Sequence, residues 1–509
     1  MGAIATTLQR FLYGFMMFFN RLIAAISHNK QLHNARFAHP HELSSLLSSQ
    51  LQNETSLLLG VSQFNQVIRV RPTKTRRELG NMLVVAPTRG GKGLLAVSQL
   101  LTWPASCVVN DIKGDLHFQT AGYRSTLGPV FVLDPTGVGD RFDPLMGKHT
   151  EDELFSSATH LLHKPDEGEG AIFTQRATVM LTQLLLAAKK EGYPPLPYVR
   201  RLIRDGLLAC AAKLDAISPE LATQFLDVEF NETDFSDRFL LSAWGTLSAR
   251  MRPLLTETVI RSLAGGDFQA HDLMASPRPI TVYLRWPERD LLALSPLVRL
   301  LWGSLIDELI TTYDKKQGQG CQPVLLLVDE AGRTALPMLS DHATTVVGRG
   351  ISLWIACQSL YQLDSVYGRA RAHVLRDNMD SALYYRPADQ DTADYLERSL
   401  GRRSDYAQSY AVREGTKESQ GLSEQGVPLM TAQEIKQLRD HEIIGFHRSM
   451  PAFKALRMDW RNHPLLVQRR RIPPPELKQL PQLENILSTT VWQRTKQSTT
   501  YIDPDSNLN

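Results

Sequence analysis

The chain has 509 residues, of which 43% are hydrophobic and 21% charged, and its formal net charge is only +3. This composition is ordinary for a soluble globular protein of about three domains. A dedicated duplex-binding domain is usually more basic, so any contact with nucleic acid must come from local patches or a channel lining. Cys107, Cys210, Cys321 and Cys357 form no C-x-x-C pair, which argues against a zinc site or a disulfide framework and favours a reducing compartment.

The first predicted element, residues 1–29, is an amphipathic or membrane-anchoring helix. Two apolar runs, 11–19 and 22–26, are interrupted by Asn20 and Arg21, and the polar side chains gather on one side in helical projection. This pattern favours a helix that lies on the membrane surface. A spanning helix and a helix that binds a protein partner are the alternatives. The interruption argues against a cleaved signal peptide.

Residues 30–80 are predicted to form a linker followed by short strands. The segment that begins at His39 resembles the start of a helix through Leu47, and residues 66–70 alternate as a strand does. A basic cluster accompanies this strand, which indicates either a solvated hairpin or a contact with nucleic acid or lipid. The cluster consists of Arg69, Arg71, Lys74, Arg76 and Arg77.

Residues 81–150 alternate between strand and helix. Met82–Val85, 107–110 and 130–133 are short apolar strands by this interpretation, and 92–101 is a helix. Such alternation predicts βαβ units and a mainly parallel sheet of the α/β class.

Residues 151–264 change to helical periodicity, with few strand signals, and are predicted to be an all-helical inserted domain. The predicted helices are Glu151–Leu162, 172–191, 198–208, 219–224 and a long stretch through Arg252.

Residues 265–464 return to alternating strands and helices and are predicted to complete the domain begun at 81–150. The predicted strands are 280–284, Val324–Val328, 352–356 and 382–385. Residues 465–509 contain three consecutive arginines, three prolines and polar residues, and are predicted to be a mobile tail.

The strongest motif is M-L-V-V-A-P-T-R-G-G-K-G at residues 82–93, an apolar strand that runs into a turn of small residues and then a helix. Backbone N–H groups can close around phosphate oxygens only where side chains are small, and Lys92 would reach the β- and γ-phosphates of ATP. The segment departs from the strict G-x-x-x-x-G-K-[ST] pattern at Ala86 and Gly93. The predicted phosphate loop consists of Ala86, Pro87, Thr88, Arg89, Gly90, Gly91, Lys92 and Gly93.

Two acids follow a second apolar strand, Val324–Val328. The carboxyl ends of parallel strands are where ligands bind, so Asp329 is predicted to hold Mg²⁺ and Glu330 to orient and deprotonate the attacking water. A third apolar strand ends at Gln358, whose amide would sense the γ-phosphate or position water. The alternative for the acids is a solvated turn, but three strands that each end in a suitable polar group favour nucleotide hydrolysis.

With these motifs the chain resembles the type IV secretion coupling proteins, the TraG/TraD-type conjugative DNA-transfer ATPases. The resemblance runs through most of residues 35–463. It rests on ten segments that occur in the same order as in the family. They are N-A-R-F-A at 34–38, L-V-V-A-P-T-R-G-G-K-G at 83–93, L-T-W-P at 101–104, D-I-K-G-D at 111–115, T-A-G-Y-R at 120–124, V-L-D-P at 132–135, L-V-D-E at 327–330, Q-S-L-Y-Q-L at 358–363, V-Y-G at 366–368 and D-N-M-D at 377–380.

The resemblance implies a RecA-like P-loop core with an all-helical domain inserted in it. It also implies a hexameric ring with ATP between subunits, and Arg349 matches the arginine that a neighbour would supply. Its alternative is a surface arginine in a turn. Gly93 is within the family's range, which leaves Mg²⁺ to be held with the help of Thr88, water or the phosphates.

The function implied is an ATP-hydrolysing motor that delivers relaxase-bound single-stranded DNA to a type IV secretion channel, at the cytoplasmic face of the bacterial inner membrane. A coupling ATPase that recruits only protein effectors, and a non-hydrolysing adaptor of the same fold, are the alternatives. Family members often begin with two clear spanning helices, from which the interrupted segment at residues 1–29 departs.

Overall fold

The computed structural model describes residues 33–483 apart from 52, 75, 163–169, 335, 337 and 414–415, and only the backbone within 406–423. The helix predicted at residues 1–29 and most of the predicted tail, 484–509, therefore lie outside the described residues.

The strands and helices are numbered here in chain order. The strands are β1 (Leu47–Ser48), β2 (Leu57–Val61), β3 (Val67–Val70), β4 (Met82–Val85), β5 (Ser106–Asp111), β6 (Val130–Asp134), β7 (Val138–Gly139), β8 (Thr281–Arg285), β9 (Val324–Val328), β10 (Ile351–Cys357), β11 (Ser381–Tyr385), β12 (Arg402–Arg413), β13 (Thr416–Pro428), β14 (Glu442–His447) and β15 (Phe453–Leu456). The α-helices are α1 (Lys92–Thr102), α2 (Asp115–Leu127), α3 (Glu151–Leu162), α4 (Ala171–Glu191), α5 (Pro195–Asp205), α6 (Leu207–Ile217), α7 (Pro219–Leu226), α8 (Arg238–Met251), α9 (Glu257–Leu263), α10 (Asp272–Ala275), α11 (Leu291–Lys316), α12 (Met338–Ala343), α13 (Leu360–Tyr367), α14 (Arg369–Asp377), α15 (Gln390–Leu400), α16 (Ala432–Lys436) and α17 (Pro464–Arg470).

One large mixed sheet organises the molecule, with strand order β1-β3-β2-β15-β14-β11-β4-β10-β9-β5-β8-β6-β7. Strands β11, β4, β10, β9, β5, β8 and β6 are mutually parallel, whereas the strands that flank them on either side pair antiparallel. The α/β class and the parallel sheet predicted from the sequence are confirmed, and the carboxyl ends of these seven strands share one edge.

The parallel strands are buried on both faces, which explains why they read as continuous apolar runs. Leu83 and Leu326 belong to one hydrophobic core, and their neighbours Val84 and Leu327 belong to a second core on the opposite face. The first core continues into the helices that follow β7, and the second is covered by α1 and α2. Packing on both faces holds the strand ends, and the loops they carry, in fixed register.

Helices α3 to α9 follow one another between β7 and β8, where the helical insertion was predicted. The predicted helix 198–208 is wrong at its end, because Gly206 has a φ of 94° and separates α5 from α6. Among the described residues, α4 has the length and apolarity of a membrane span, but 61% of the relevant window is buried. Buried core helices of soluble proteins pass the same test, so α4 is weak evidence for a span.

The helix predicted from His39 through Leu47 is wrong. The segment forms consecutive turns, in which Glu42 N donates to the His39 carbonyl at 3.0 Å while the Glu42 carboxylate accepts from His39 N at 2.7 Å. Leu47 then pairs with Ile68 of β3. Turn hydrogen bonds within the segment, and strand pairing at its end, satisfy this backbone instead of a helix.

The basic cluster near β3 is mostly structural. Arg69 is buried and donates to Ser48 Oγ at 2.7 Å, and Arg71 donates to the Leu47 carbonyl at 2.6 Å. Arg76 pairs with Asp380 at 2.8 Å. Burial removes Arg69 from any contact with nucleic acid or lipid.

The start of the predicted mobile tail is ordered, so that prediction is wrong for residues 465–480. We call residues 464–480 the C-terminal strap. Helix α17 packs against α1 and α2, and Arg469 donates to the Leu101 carbonyl at 2.6 Å while its guanidinium lies over the Tyr123 ring. The strap continues to the sheet edge, where Gly139 N donates to the Lys478 carbonyl at 2.7 Å. These contacts join residues far apart in the chain, so local composition did not reveal them.

Candidate functional site

The phosphate loop connects β4 to α1 and is closed by backbone contacts. Ala86 N donates to the carbonyl of Cys357 at 3.0 Å, which ties the loop to the end of neighbouring β10. Gly90 N donates to the Pro87 carbonyl at 2.9 Å, and a Cβ on Gly90 would lie 2.9 Å from that same oxygen. Gly91 has a φ of 108°, in the left-handed region. Both positions therefore require glycine, and the loop opens at a helix N-terminus, which favours anions.

Lys92, the first residue of α1, faces the two predicted acids. Its Nζ lies 3.1 Å from Glu330 Oε1 and 3.5 Å from Asp329 Oδ1. Among the described residues, neither Lys92 Nζ nor Asp329 Oδ1 has a partner in hydrogen-bond geometry, although both atoms are buried. Buried polar atoms normally have such partners, so this pair fits a site that a phosphate and a divalent cation complete.

Glu330 stands in an unusual backbone conformation at the start of the turn after β9. Its φ is 58°, which is costly for a residue other than glycine, asparagine or aspartate and is most often seen at functional positions. Lys113 Nζ lies 3.9 Å from Glu330 Oε1, and Arg333 Nη1 lies 3.4 Å from Glu330 Oε2. Burial raises the pKa of Glu330, but Lys92, Lys113 and Arg333 together lower it below its ordinary value. Glu330 is therefore ionised at neutral pH.

Burial raises the pKa of Asp329, and Lys92 offsets this only in part. A carboxylate that is desolvated in this way gains from a cation that arrives beside it, because the cation favours the charged form. The physical setting of Asp329 thus suits a metal ligand, as the sequence predicted.

Asn110, at the end of β5, holds the turn that carries both acids. Its side-chain carbonyl accepts from the indole nitrogens of Trp286 at 3.0 Å and Trp302 at 3.3 Å. Its amide donates to the Asp329 carbonyl at 3.4 Å and to Thr334 Oγ1 at 3.3 Å. The buried amide thereby uses its donors and acceptor to fix the turn against β5 and α11.

Gln358 follows β10 and faces the phosphate loop. Thr88 Oγ1 donates to Gln358 Oε1 at 3.2 Å, and Gln358 N donates to Gln362 Oε1 at 3.0 Å. The structure thus brings together the predicted site residues Thr88, Lys92, Asp329, Glu330 and Gln358 at the carboxyl edge of β4, β10 and β9.

Gly93 stands where a hydroxyl residue commonly follows the phosphate-loop lysine. A Cβ at Gly93 would meet no atom within 4 Å, so packing does not exclude a serine there. Thr88 is the hydroxyl residue of the loop, and its Oγ1 already donates to Gln358. The residues present fit Mg²⁺ through Asp329, while a role for Thr88 stays a prediction.

Arg349 lies away from this cluster within the chain. It precedes β10, at the opposite end of the strand from Gln358, and a seven-residue strand spans roughly 23 Å. Its guanidinium binds Asp314 in a bidentate pair, with Nε–Oδ1 at 2.8 Å and Nη2–Oδ2 at 3.0 Å. A contribution to the site of a neighbouring subunit stays a prediction.

Sequence reasoning assigned no role to three residues that contact the two acids or their turn. Lys113 lies within the D-I-K-G-D segment that carried the resemblance, so a signal was present but its chemistry was not recognised. Asn110 and Arg333 gave no signal, because a buried amide and a single arginine acquire their partners only in the folded chain.

Comparisons with known proteins identify the family of this chain. The sequence model of the family described as Type IV secretory system Conjugative DNA transfer matches residues 49–473. The chain belongs to this family. It is 25% identical over 409 residues to "Protein VirD4" of Rhizobium radiobacter, covering 76% of this chain and 58% of that protein. It is 28% identical over 359 residues to "Conjugal transfer protein TraG" of Escherichia coli, covering 63% and 55%. The chain thus spans little more than half the length of these relatives.

The fold also matches solved structures. The plasmid coupling protein TrwB in complex with ADP and Mg²⁺ superposes with a TM-score of 0.62 at 18% identity, covering 84% of this chain and 94% of TrwB. The TrwB structure in complex with sulphate gives a TM-score of 0.64 at the same identity. This family member therefore has the RecA-like P-loop fold that the resemblance implied.

Proposed function

We propose that this coupling protein is an ATP-hydrolysing motor that delivers relaxase-bound single-stranded DNA to a type IV secretion channel during conjugation. The observation that carries the proposal is the placement of Lys92 beside Asp329 and Glu330, with Gln358 on the adjoining strand. Family membership supports the role in conjugative transfer, and TrwB, whose solved complexes contain ADP with Mg²⁺ and an ATP analogue, supports the nucleotide.

Each side chain has a distinct task in hydrolysis. The backbone N–H groups of the phosphate loop and Lys92 Nζ bind the β- and γ-phosphate oxygens. Glu330, ionised because of its three cationic neighbours, accepts a proton from the water that attacks the γ-phosphorus. Gln358 holds that water or contacts the γ-phosphate through its amide. Lys92 moves from the acids to the phosphates when ATP binds, which frees Glu330 Oε1 for the water.

Asp329 would hold Mg²⁺ beside the phosphates. When bound, Mg²⁺ neutralises phosphate charge that would otherwise oppose attack. Asp329 Oδ1 is buried and has no partner in hydrogen-bond geometry among the described residues, and its ion pair with Lys92 at 3.5 Å would be released as Lys92 turns to the phosphates. Thr88 Oγ1, water or the phosphates would complete the shell.

We further propose that the chain acts as a hexameric ring at the cytoplasmic face of the bacterial inner membrane, anchored through residues 1–29. In such a ring Arg349 of one subunit would stabilise charge on the γ-phosphate bound by the next. Single-stranded DNA would be bound through its phosphates, without sequence readout, by local basic patches that line a channel, because a net charge of only +3 does not make the surface basic overall. Channel proteins of the secretion system and the relaxase–DNA complex are the partners.

The decisive experiment is steady-state ATP hydrolysis by the full chain in mild detergent, with and without single-stranded DNA. Lys92→Ala is the blank, because it removes the cation that binds the phosphates. We expect turnover that rises severalfold with DNA and falls to background in Lys92→Ala.

Other outcomes separate the alternatives. Hydrolysis that depends on Lys92 but ignores DNA would favour the coupling ATPase that recruits only protein effectors. Nucleotide binding with no turnover in any condition would favour the non-hydrolysing adaptor. Full activity in Lys92→Ala would overturn the assignment of the phosphate loop.

A further inference from the structure

An arginine outside the motifs reaches the phosphate loop from the side opposite the two acids. Arg457 follows β15, and its Nη1 donates to the Gly90 carbonyl at 3.2 Å. In the sheet, β4 lies between β10 and β11; the acids and Gln358 follow β9 and β10, whereas β14 and β15 lie beyond β11. The loop is therefore contacted on one side by the catalytic edge and on the other by Arg457.

The contact is close enough to constrain the loop. A Cβ built on Gly91 would lie 3.0 Å from Arg457 Nη1 and 3.2 Å from its Cδ, so the arginine packs directly on the loop backbone. Gly91 is also the loop residue with a φ of 108°. The arginine thus covers the position at which the loop turns into α1.

Arg457 is itself fixed at both ends. Its backbone N donates to the His441 carbonyl at 2.8 Å, and Nη1 also donates to the Asp440 carbonyl at 3.2 Å. The preceding residue, Leu456, pairs with both Glu442 of β14 and Val61 of β2. The guanidinium is therefore a rigid bridge from the antiparallel part of the sheet to the phosphate loop.

We propose that Arg457 is a positioning residue that holds the phosphate loop in the conformation that accepts nucleotide. By binding the Gly90 carbonyl, it keeps that oxygen turned from the phosphates and leaves the neighbouring N–H groups free to bind them. Its charge adds positive potential beside the loop. This inference rests on the proposed function, because it names a further residue that serves the same nucleotide site.

The test is the affinity of the full chain for a fluorescent ADP analogue with Mg²⁺. Arg457→Ala should raise its Kd about tenfold, as expected for loss of a hydrogen bond from a charged donor. Arg457→Lys should recover part of the affinity. The matched control is Arg461→Ala, which removes a half-exposed arginine that pairs with Asp459 at 2.6 Å. The control should keep its Kd within twofold of the unmodified protein.

Two further readouts separate positioning from general destabilisation. The KM for ATP should rise more than kcat falls, because a loop held by bound nucleotide still supports chemistry. Amide hydrogen exchange of residues 86–95 without nucleotide should become faster in Arg457→Ala. Where that variant folds poorly, Arg457→Gln, which stays polar but is neutral and shorter, replaces it in both measurements.

The proposal is overturned if both Arg457→Ala and Arg457→Gln keep the Kd within twofold and leave the exchange of the loop unchanged. Lys92→Ala distinguishes this failure from failure of the proposed function. If Lys92→Ala loses nucleotide while the Arg457 variants retain it, only the role of Arg457 is wrong. If Lys92→Ala binds and hydrolyses normally, the nucleotide site itself is wrong.

Discussion

At the scale of single residues, the site is a lysine and two carboxylates whose charges are arranged to bind a polyanion together with a cation. Lys92 is placed between two carboxylates, one with a raised pKa and one with a lowered pKa. The difference has a physical cause: Lys92 is the cation that offsets the burial of Asp329, whereas Glu330 has Lys113 and Arg333 beside it as well as Lys92. Pairs of acids with opposed pKa shifts often divide the work of metal binding and proton transfer.

The division of work between the acids predicts the behaviour of Glu330→Gln. This variant should still bind ATP, since Lys92 and the loop are intact, but turnover should fall by about 100-fold or more because the base is lost. Binding of a fluorescent ATP analogue and steady-state turnover together check this. Glu308→Gln, a neutralisation on α11 away from the site, is the control. Unchanged turnover in Glu330→Gln would remove Glu330 as the base.

A second buried acid predicts a pH dependence of stability. Asp143 is buried beside a cavity of about 500 Å³, and burial raises its pKa from near 3.8 to about 6 despite Lys189 nearby. The folded protein thus keeps a proton that the unfolded chain loses, so the contribution of Asp143 to stability falls as pH rises from about 4 to 6. The loss is at most on the order of 3 kcal/mol.

Asp143→Asn is neutral at every pH and should lack this slope. The difference in Tm between variant and unmodified protein should therefore shift in favour of the variant between pH 4 and 6 and stay level above pH 7. Thermal unfolding followed across that range measures the difference. A difference that does not change with pH would mean that Asp143 has an ordinary pKa in the folded protein.

At the scale of elements, the C-terminal strap closes over α2 at a glycine. A Cβ on Gly122 would lie 2.0 Å from the Ile472 carbonyl oxygen, a distance that requires the strap to move. Contacts of Arg469 and Lys478 hold the strap on either side of this crossing. The strap therefore forms an additional layer over the core. Its backbone can approach α2 this closely only because residue 122 is a glycine.

The crossing predicts opposite effects for two helix glycines. Gly→Ala inside a helix normally stabilises by roughly 0.5–1 kcal/mol. Gly245 lies inside α8 with no atom near its Cβ position, so Gly245→Ala should follow this rule. Gly122→Ala should instead lower Tm and expose the strap to limited proteolysis. Equal gains in stability from both substitutions would show that the strap does not close on α2.

At the scale of the whole molecule, Arg349 and Lys92 lie at opposite edges of the same sheet. An arginine at that distance can serve a nucleotide only across an interface between subunits. Its guanidinium is paired with Asp314 in the single chain, which raises the pKa of Arg349, and would have to leave this pair to reach a neighbour's nucleotide.

Mixing experiments test whether Arg349 serves the nucleotide site of a neighbouring subunit. Lys92→Ala and Arg349→Ala should each be inactive, but at equal amounts about a quarter of interfaces would combine an intact Lys92 with an intact Arg349. Partial recovery of ATP hydrolysis is therefore expected. Mixing Lys92→Ala with Glu330→Gln is the control, since both residues act within one subunit. No recovery at any ratio would leave Arg349 as a surface residue.

The amino-acid sequence by itself determined the α/β class and the parallel strands, and it predicted which polar residues meet at the carboxyl edge of the sheet. Buried parallel strands are recognisable as continuous apolar runs, and the polar residue that follows each strand lies at the site. Local sequence pattern therefore indicated both the strands and the polar residues at their ends. The turns after Pro40 and the break at Gly206 show where local pattern was insufficient, because turn hydrogen bonds and one glycine with a positive φ overrode helical periodicity.

Only the tertiary structure decided which distant residues support the site. Asn110 contacts Trp286, Trp302 and the Asp329 turn because their elements pack together around β5. Arg457 approaches the phosphate loop from the other side because β15 joins the sheet on the β11 side of β4. The strap became ordered for the same reason, since Gly122 admits a backbone more than 300 residues later in the chain. Such contacts depend on how strands are ordered in the sheet, which short-range sequence patterns do not encode.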